Sequence, residues 1–378
     1  MDIFESYTDP KHIVTLKQAI SNSRILDWGT DYNKNAGITF KNLKFILDYW
    51  KNEFSWIDQE KELNRYNQTK IKINGISTHF LHIKSSQKNA IPLLLIHGWP
   101  GSIFEFFDLI PLLTNPDKNN LKGHQAFDLV IPSLPNVGYS FELDQKPIDL
   151  NQIALNFIKL MKTLDYKNYF IQGGDLGSFI ASIMATKSPK NIYGIHLNLL
   201  PLPRGLQKSS SNIQEKRYYK KLKQWIHYET GYQQIQGTKP FTLAHALNSS
   251  PVALCAYISE KFYSWTDNDG DLFSKINLDK MLANITLYWL TGCIGASFWP
   301  YYARHRSDWP ISSDNPILVP MAYSEFPKEI FSPPISLASQ YYKQISFWGE
   351  HKSGGHFAAM EKPRELATDI DKFIKILL

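Results

Sequence analysis

Two kinds of hydrophobic pattern alternate along this chain. Short apolar runs typical of buried strands occur at residues 93–96, 127–131, 169–171, 193–197, 317–321 and 344–347. Stretches with helical spacing separate some of these runs, and residues 364–378 predict a closing amphipathic helix. Strands that alternate with helices predict an α/β fold with a mostly parallel sheet and helices on both faces.

The pattern differs at the start of the chain and after residue 200. Apolar residues recur at helical spacing from 43 to 54, and Asn74-Gly75 between two alternating runs predicts a β-hairpin. Beyond residue 200 a long stretch is helical in character and rich in aromatic residues. We therefore predict four segments: an N-terminal extension (1–88), a first core part (89–200), a helical cap (201–312) and a second core part (313–378).

One uncharged stretch, residues 285–303, has the length of a membrane span. Because it contains two glycines and several polar and aromatic residues, we predict instead a buried amphipathic helix that ends at Pro300. The N-terminus lacks the basic and apolar regions of a signal peptide. Both cysteines lie in apolar segments, which is typical of buried thiols in a reducing compartment. We predict a soluble, cytoplasmic protein without a membrane anchor.

Composition argues against a nucleic-acid partner. With 43% hydrophobic residues, the 378-residue chain can bury a sizeable core. The net charge of +6 is spread along the chain in short clusters, which is typical of a solvated surface.

A tight turn at residues 173–177 carries the strongest chemical signal. Gly173-Gly174-Asp175-Leu176-Gly177 follows an apolar run and precedes a potential helix. This is the form of the nucleophile elbow of α/β-hydrolases, with Asp where serine hydrolases have Ser. A carboxylate attacks saturated carbon without a base and forms an ester that water must hydrolyse. Asp175 therefore predicts a substrate with an electrophilic sp³ carbon, such as an epoxide or an alkyl halide.

Hydrolysis of such an ester requires a base and an acid that orients it. The predicted base is His356, on a Gly-rich loop after a predicted strand, while the nearby His351 is expected on the surface. The orienting acid is Glu325, Glu329 or Asp314, and sequence order alone does not separate these three.

The oxyanion formed during hydrolysis is expected to bind two backbone N–H groups. One belongs to Leu176, directly after the nucleophile. The other belongs to Trp99 in the loop at residues 97–102, where a cis Trp99–Pro100 bond is one way to aim it. Opening an epoxide also needs an acid, and two tyrosines of the cap would serve, whereas a halide would need N–H donors. Composition does not select two of the 20 tyrosines.

Together these motifs resemble the microsomal-type epoxide hydrolases, a family that includes juvenile hormone epoxide hydrolases and soluble fungal and bacterial relatives. The family usually has Trp after the nucleophile, so Leu176 is expected to reshape the pocket beside Asp175. The likeness covers nearly the whole chain, at residues 50–56, 62–66, 97–102, 173–177, 231–240, 246–251, 326–329 and 354–361.

The resemblance implies roles that the pattern left open. It assigns the orienting acid to Glu329 and the ring-opening donors to Tyr232 and Tyr301, with Tyr302 as an alternative to Tyr301. It implies hydrolysis of a small-molecule epoxide by water to a vicinal diol through an ester on Asp175, without a cofactor or a metal. A homodimer is one possible assembly. The rival hypotheses are a haloalkyl dehalogenase, disfavoured by the two tyrosines, and a non-catalytic binding protein, disfavoured by the complete set of acid, base and nucleophile.

Overall fold

In the computed structural model, which describes residues 2–29, 31, 36–203 and 210–378, one nine-stranded sheet runs through the molecule. Its strands are β1 (Asp2–Phe4), β2 (Gln68–Ile73), β3 (Ile76–Ile83), β4 (Ile91–Ile96), β5 (Phe127–Pro132), β6 (Tyr169–Gly173), β7 (Ile192–Leu197), β8 (Ile317–Glu325) and β9 (Tyr342–Glu350). They are ordered β1-β2-β3-β5-β4-β6-β7-β8-β9. Strands β4 to β9 are parallel, while β1, β2 and β3 join them in antiparallel pairs.

The prediction of a mostly parallel sheet is confirmed. Each of the six apolar runs lies within one of the strands β4 to β9. The hairpin prediction is also confirmed, because Asn74 and Gly75 connect β2 to β3 with φ angles of 52° and 80°. Positive φ at both central residues matches the twist of the flanking strands, and Asn-Gly tolerates it best.

Helices occur in four groups along the chain. The first group is α1 (Pro10–Asn22), α2 (Phe40–Asn52) and α3 (Trp56–Leu63). The helices of the second group connect strands β4 to β7 and are α4 (Ile110–Thr114), α5 (Leu150–Thr163) and α6 (Asp175–Lys187). Between β7 and β8 lie α7 (Ile213–Glu229), α8 (Gly231–Thr238), α9 (Pro240–Ser249), α10 (Pro251–Trp265), α11 (Leu278–Thr291), α12 (Ile294–Ser297) and α13 (Trp299–Arg304). The last group is α14 (Ile335–Tyr341), α15 (Ala358–Glu361) and α16 (Pro363–Leu377).

The prediction of one helix ending at Pro300 is wrong. Helix α11 ends earlier, because Gly292 adopts the left-handed conformation (φ 67°) that terminates many helices. Pro300 lies in the first turn of α13, where its missing N–H costs no hydrogen bond. No single helix in the described ranges is long and apolar enough to cross a membrane. The α11 helix and residues 294–304 meet that test only as a pair bent by 109°.

The N-terminal helices pack directly on the helices inserted between β7 and β8. The indole N–H of Trp50 donates to Thr286 Oγ1 at 2.9 Å, and the hydroxyl of Tyr49 donates to Asp279 Oδ1 at 2.9 Å. Both acceptors belong to α11. The division of the chain into four segments stays a prediction, because these contacts unite the first segment with the third.

A buried histidine of β3 contacts a residue of β2 and the residue that follows β5. His79 is 0% exposed; its Nδ1 lies 2.9 Å from Ser133 Oγ and its Nε2 lies 3.0 Å from Gln68 Oε1. Because an amide oxygen only accepts, Nε2 carries the proton and Nδ1 accepts from the hydroxyl. Burial, with a smaller effect of Lys70, lowers the pKa of His79 to about 3. The folded protein therefore keeps this imidazole neutral in mildly acidic solution.

We predict that the free energy of unfolding falls as the pH is lowered below about 6.5, the usual pKa of histidine. Below that pH the unfolded chain binds a proton at residue 79, whereas the folded chain binds it only near pH 3. The slope is up to about 1.4 kcal/mol per pH unit for one such residue. Urea titrations between pH 7 and pH 5 should give a shallower slope for His79→Gln than for the wild type. The same change at the exposed His12 should leave the slope unaltered, and equal slopes for both variants would contradict the prediction.

Candidate active site

The backbone at Asp175 is held in an unusual conformation by two close approaches. Asp175 begins α6 with a φ of 45°, in the left-handed region. A Cβ on Gly177 would lie 2.0 Å from the carbonyl oxygen of Ile96, and one on Gly98 would lie 2.3 Å from the Cβ of Asp175. Glycine is therefore required at both positions for the turn to set Asp175 against the loop after β4.

Hydrogen bonds and charges connect Asp175, His356 and Glu329, which follow three different strands. Nε2 of His356 lies 3.5 Å from Oδ2 of Asp175, and Nδ1 lies 2.7 Å from Oε1 of Glu329. The side chains of His356 and Glu329 are 2% and 0% exposed, and that of Asp175 is 15% exposed. A carboxylate on Nδ1 fixes the orientation of the imidazole, so that Nε2 points at Asp175.

The charges around His356 control its protonation. Burial lowers the pKa of His356, but the charge of Glu329 and the hydrogen bonds to Asp175 and Glu329 outweigh burial. The pKa therefore lies well above the usual 6.5. The resting site holds an imidazolium between two carboxylates. Loss of the charge on Asp175 would remove part of this stabilisation and lower the pKa of His356.

The loop that carries His356 is fixed by the end of α10, a contact that the sequence did not reveal. The N–H of His356 donates to the carbonyl oxygen of Trp265 at 2.9 Å, and the N–H of Gly354 donates to Asp267 Oδ2 at 2.8 Å. The indole of Trp265 lies edge-on to the imidazole, with 5.1 Å between ring centroids. The inserted helices thus position the histidine as well as covering it.

The structure separates the candidate acids and histidines. Glu325 accepts a hydrogen bond from an indole N–H at 3.0 Å, and Asp314 lies exposed before β8, so Glu329 is the candidate that meets His356. The expectation that His351 lies on the surface is wrong. Its side chain is 15% exposed, and its Nε2 lies 2.6 Å from an aspartate oxygen of α16.

Trp99 contributes two N–H groups with different partners. Its backbone N–H donates to Oδ1 of Asp175 at 2.8 Å, and the Trp99–Pro100 peptide is cis, as the loop sequence suggested. Its indole N–H donates to Oγ of Ser297 at 3.1 Å. Leu176 is 2% exposed and packs in the hydrophobic core, so its expected effect on the pocket stays a prediction.

Tyr232 and Tyr301 meet beside Trp99, and Tyr302 lies elsewhere. The ring of Tyr232 stacks on the indole at 5.5 Å between centroids, and Tyr301 packs edge-on to it at 5.7 Å. The two phenol rings are 5.8 Å apart. Tyr302 packs instead against a neighbouring tryptophan and an arginine of the following turn. The register that favours Tyr301 over Tyr302 thus matches the geometry.

Both phenols are held in the protonated form. Burial raises the pKa of Tyr232 and of Tyr301 above the usual 10, and the nearby charge of Asp175 raises both further. Since a tyrosinate would be buried near a carboxylate, each hydroxyl keeps its proton and can donate it only to a stronger base.

An apolar cavity of about 300 Å³ opens next to Tyr301. This volume suits a small organic molecule. Aromatic and aliphatic side chains form much of its wall, including Phe179, Leu202, Tyr218, Leu222, Trp225 and Phe331. In the part of the chain that the structure describes, no group of three or more His, Cys, Asp or Glu side chains could hold a metal ion.

The order of strands and site residues defines the class of protein. An aspartate at the strand–helix turn after β6, an acid after β8 and a histidine after β9 occupy the positions of an α/β-hydrolase site. A family model of the α/β hydrolase fold matches residues 91–262, and one of the epoxide hydrolase N terminus matches residues 1–106. The chain has the α/β-hydrolase fold.

Individual relatives give the family. Epoxide hydrolase 1 of Sus scrofa is 35% identical over an alignment of 402 residues including gaps. The alignment covers 99% of this chain and 88% of that protein. The structure of Aspergillus niger epoxide hydrolase matches with a TM-score of 0.86 at 29% identity, covering 100% of this chain and 96% of that one. Juvenile hormone epoxide hydrolase from Bombyx mori matches with a TM-score of 0.87 at 31% identity, covering 100% and 94%. The chain belongs to the epoxide hydrolase family, hydrolases that act on ether bonds.

We predict that Gly98→Ala nearly abolishes epoxide hydrolysis. The added Cβ would lie 2.3 Å from the Cβ and 2.4 Å from Oδ1 of Asp175, so the carboxylate must move away from the Trp99 N–H. A displacement of about 1 Å can cost roughly 10²-fold in rate, and kcat/KM should fall by at least that factor. Gly231→Ala is the control, since nothing lies within 4 Å of the added Cβ. Wild-type kinetics in Gly98→Ala would contradict the close contact between Gly98 and the side chain of Asp175.

Proposed function

We propose that this enzyme converts epoxides to vicinal diols through an ester on Asp175, which His356 then helps water to hydrolyse. One observation carries the proposal. Asp175 contacts the His356–Glu329 pair and also lies within electrostatic reach of two protonated phenols, Tyr232 and Tyr301. Nucleophile, base and acid therefore meet at one point, as a two-step reaction requires.

In the first step, a carboxylate oxygen of Asp175 attacks a ring carbon and the C–O bond of the epoxide breaks. The ring oxygen takes a proton from Tyr232 or Tyr301, because an alkoxide is a poor leaving group unless an acid donates to it. The high pKa of both phenols keeps this proton in place until the alkoxide develops. The products are a hydroxyalkyl ester of Asp175 and one tyrosinate.

In the second step, His356 becomes a base. Ester formation removes the charge of Asp175 and lowers the pKa of the imidazolium, whose proton returns to the tyrosinate. The neutral imidazole, oriented by Glu329, takes a proton from water while the water oxygen attacks Cγ of Asp175. The intermediate collapses and releases the alkoxide, which takes the proton of the new carboxyl group. The diol leaves, and the resting carboxylate and imidazolium are restored.

The oxyanion of the second step is proposed to bind the backbone N–H groups of Trp99 and Leu176. The Trp99 N–H already donates to Oδ1 of Asp175 at 2.8 Å. That oxygen becomes the negatively charged one when water adds to Cγ, so a fixed donor there favours the intermediate over the ester.

The proposed division of labour follows the four segments predicted from the sequence. The core parts, residues 89–200 and 313–378, carry the nucleophile, the base and its acid. The cap, residues 201–312, carries both tyrosines on α8 and α13. We assign to the extension, residues 1–88, the role of bracing the cap through its contacts with α11.

The expected partners are a small-molecule epoxide and water. The indole N–H of Trp99 is engaged by Ser297, which favours phenol donors and an epoxide oxygen over N–H donors and a halide. We also propose a cytoplasmic location, because Cys255 and Cys293 are both free and buried, as is typical in a reducing compartment.

We predict that His356→Gln forms the ester on Asp175 but does not release the diol, because only the second step needs a base. Intact-protein mass spectrometry after mixing with an epoxide should show a stable adduct of substrate mass on the peptide that contains Asp175. Asp175→Ala is the control and should form no adduct. Full turnover by Asp175→Ala would refute the assigned nucleophile.

We predict that Tyr232→Phe and Tyr301→Phe each slow ester formation by roughly 10²-fold, the usual contribution of a general acid. Neither change should make the ester accumulate, since both act before it forms. Tyr302→Phe is the matched control and should react at the normal rate in rapid-quench measurements. A severe defect in Tyr302→Phe with a normal Tyr301→Phe would reverse the assignment.

A further inference from the structure

A second, much smaller cavity lies against the nucleophile and the base. The space within it that is open to the centre of a water molecule is about 20 Å³. By this measure one water needs about 10–15 Å³, so the cavity has room for one water and none for an organic substrate. Asp175 and His356 both border it, together with Gln172, Asn198 and Glu105.

Glu105 is the ionisable wall residue that the two-step mechanism does not use. Its side chain folds back over the preceding loop, so closely that a Cβ on Gly101 would lie 1.2 Å from its Oε1. No described residue makes a hydrogen bond to its carboxyl group. Enclosed polar groups are normally satisfied by protein or by ordered water, so this carboxyl group has bonding capacity for a water in the cavity.

The walls of the cavity are fixed from two sides. Helix α11 fixes the loop that precedes Glu105 through two hydrogen bonds. Asn284 Nδ2 donates to the carbonyl oxygen of Pro100 at 2.7 Å, and the hydroxyl of Tyr288 donates to the carbonyl oxygen of Gly101 at 3.0 Å. On the other side, Gln172 Nε2 donates to Asn198 Oδ1 at 2.8 Å, and Asn198 Nδ2 donates to the carbonyl oxygen of His356 at 3.4 Å. A water bound here has a defined position relative to the ester.

The carboxyl group of Glu105 is mostly protonated at pH 7. Burial raises its pKa to about 8, with a lowering effect of His356 and a raising effect of Asp175. A neutral carboxyl group adds no second negative charge beside the developing oxyanion. Its carbonyl oxygen can still accept a hydrogen bond from water.

We propose that Glu105 holds the hydrolytic water in this cavity, an inference that rests on the ester mechanism proposed above. The water donates one O–H to the carbonyl oxygen of Glu105 and the other to Nε2 of His356, which leaves a lone pair for Cγ of the Asp175 ester. As the O–Cγ bond forms, the second proton passes to His356. The first stays on the oxygen and becomes the proton of the new carboxyl group. Glu105 itself neither gains nor loses a proton.

The test compares Glu105→Met with Glu105→Gln, two side chains of similar length of which only Gln keeps an acceptor oxygen. Rapid-quench mass spectrometry with a simple epoxide measures formation and decay of the ester on Asp175. In Glu105→Met, the ester should form at the wild-type rate and decay about 10- to 100-fold more slowly, as expected for a misplaced reactant. Glu105→Gln should keep most of the hydrolysis rate. Asp108→Asn, which alters an exposed acid in the same segment, should be normal in both steps.

Three results would overturn the proposal. One is wild-type ester decay in Glu105→Met, and a second is an equal loss in Glu105→Met and Glu105→Gln. The third is a parallel loss of ester formation and decay with a large fall in melting temperature, which would indicate a structural role. If Glu105→Met does not fold, Glu105→Ala removes the acceptor without filling the cavity and serves in its place. Failure of the ester mechanism itself is recognised separately, because then neither wild type nor His356→Gln would carry an adduct on Asp175.

Discussion

One interaction organises the active site: the His356 imidazolium lies between the carboxylates of Asp175 and Glu329. Charges are costly to bury, and the cost is offset only when the partners are close and well aligned. The three residues come from loops after β6, β8 and β9, and the carboxyl ends of these parallel strands meet at one edge of the sheet. The close approaches at Gly98 and Gly177 bring the aspartate into that group. Removing any one member would leave a neighbour with a charge that is no longer compensated.

Features that depend on neighbours in the sequence could be predicted from it. Apolar runs mark the parallel strands, and Asn74-Gly75 marks the hairpin, because each reflects local preferences of the backbone. The candidates Asp175 and His356 rest on a signal of the same kind, since tight loops require glycine beside them. Where the local signal is ambiguous, the sequence misleads: it predicts one helix that ends at Pro300, although proline also suits a first turn and lies in that of α13.

Features that depend on distant parts of the chain were out of reach of such patterns. Glu329 meets His356 and Glu325 does not, because of how the chain bends after β8. From the sequence, only the family resemblance distinguishes these two acids. His351 was assigned to the surface because its carboxylate partner lies on α16, a helix whose docking no local pattern describes. Glu105 was missed for the same reason. It borders the site only because its side chain turns back over Gly101.

The bonds between α10 and the histidine loop limit how molecules can pass through this enzyme. Trp265, at the end of that helix, and Asp267, just after it, bind the backbone of residues 356 and 354. A hinged swing of the inserted helices would break these bonds and withdraw the base from the nucleophile. Exchange of substrate and diol is therefore expected to rely on movements of single side chains, which leave these bonds intact.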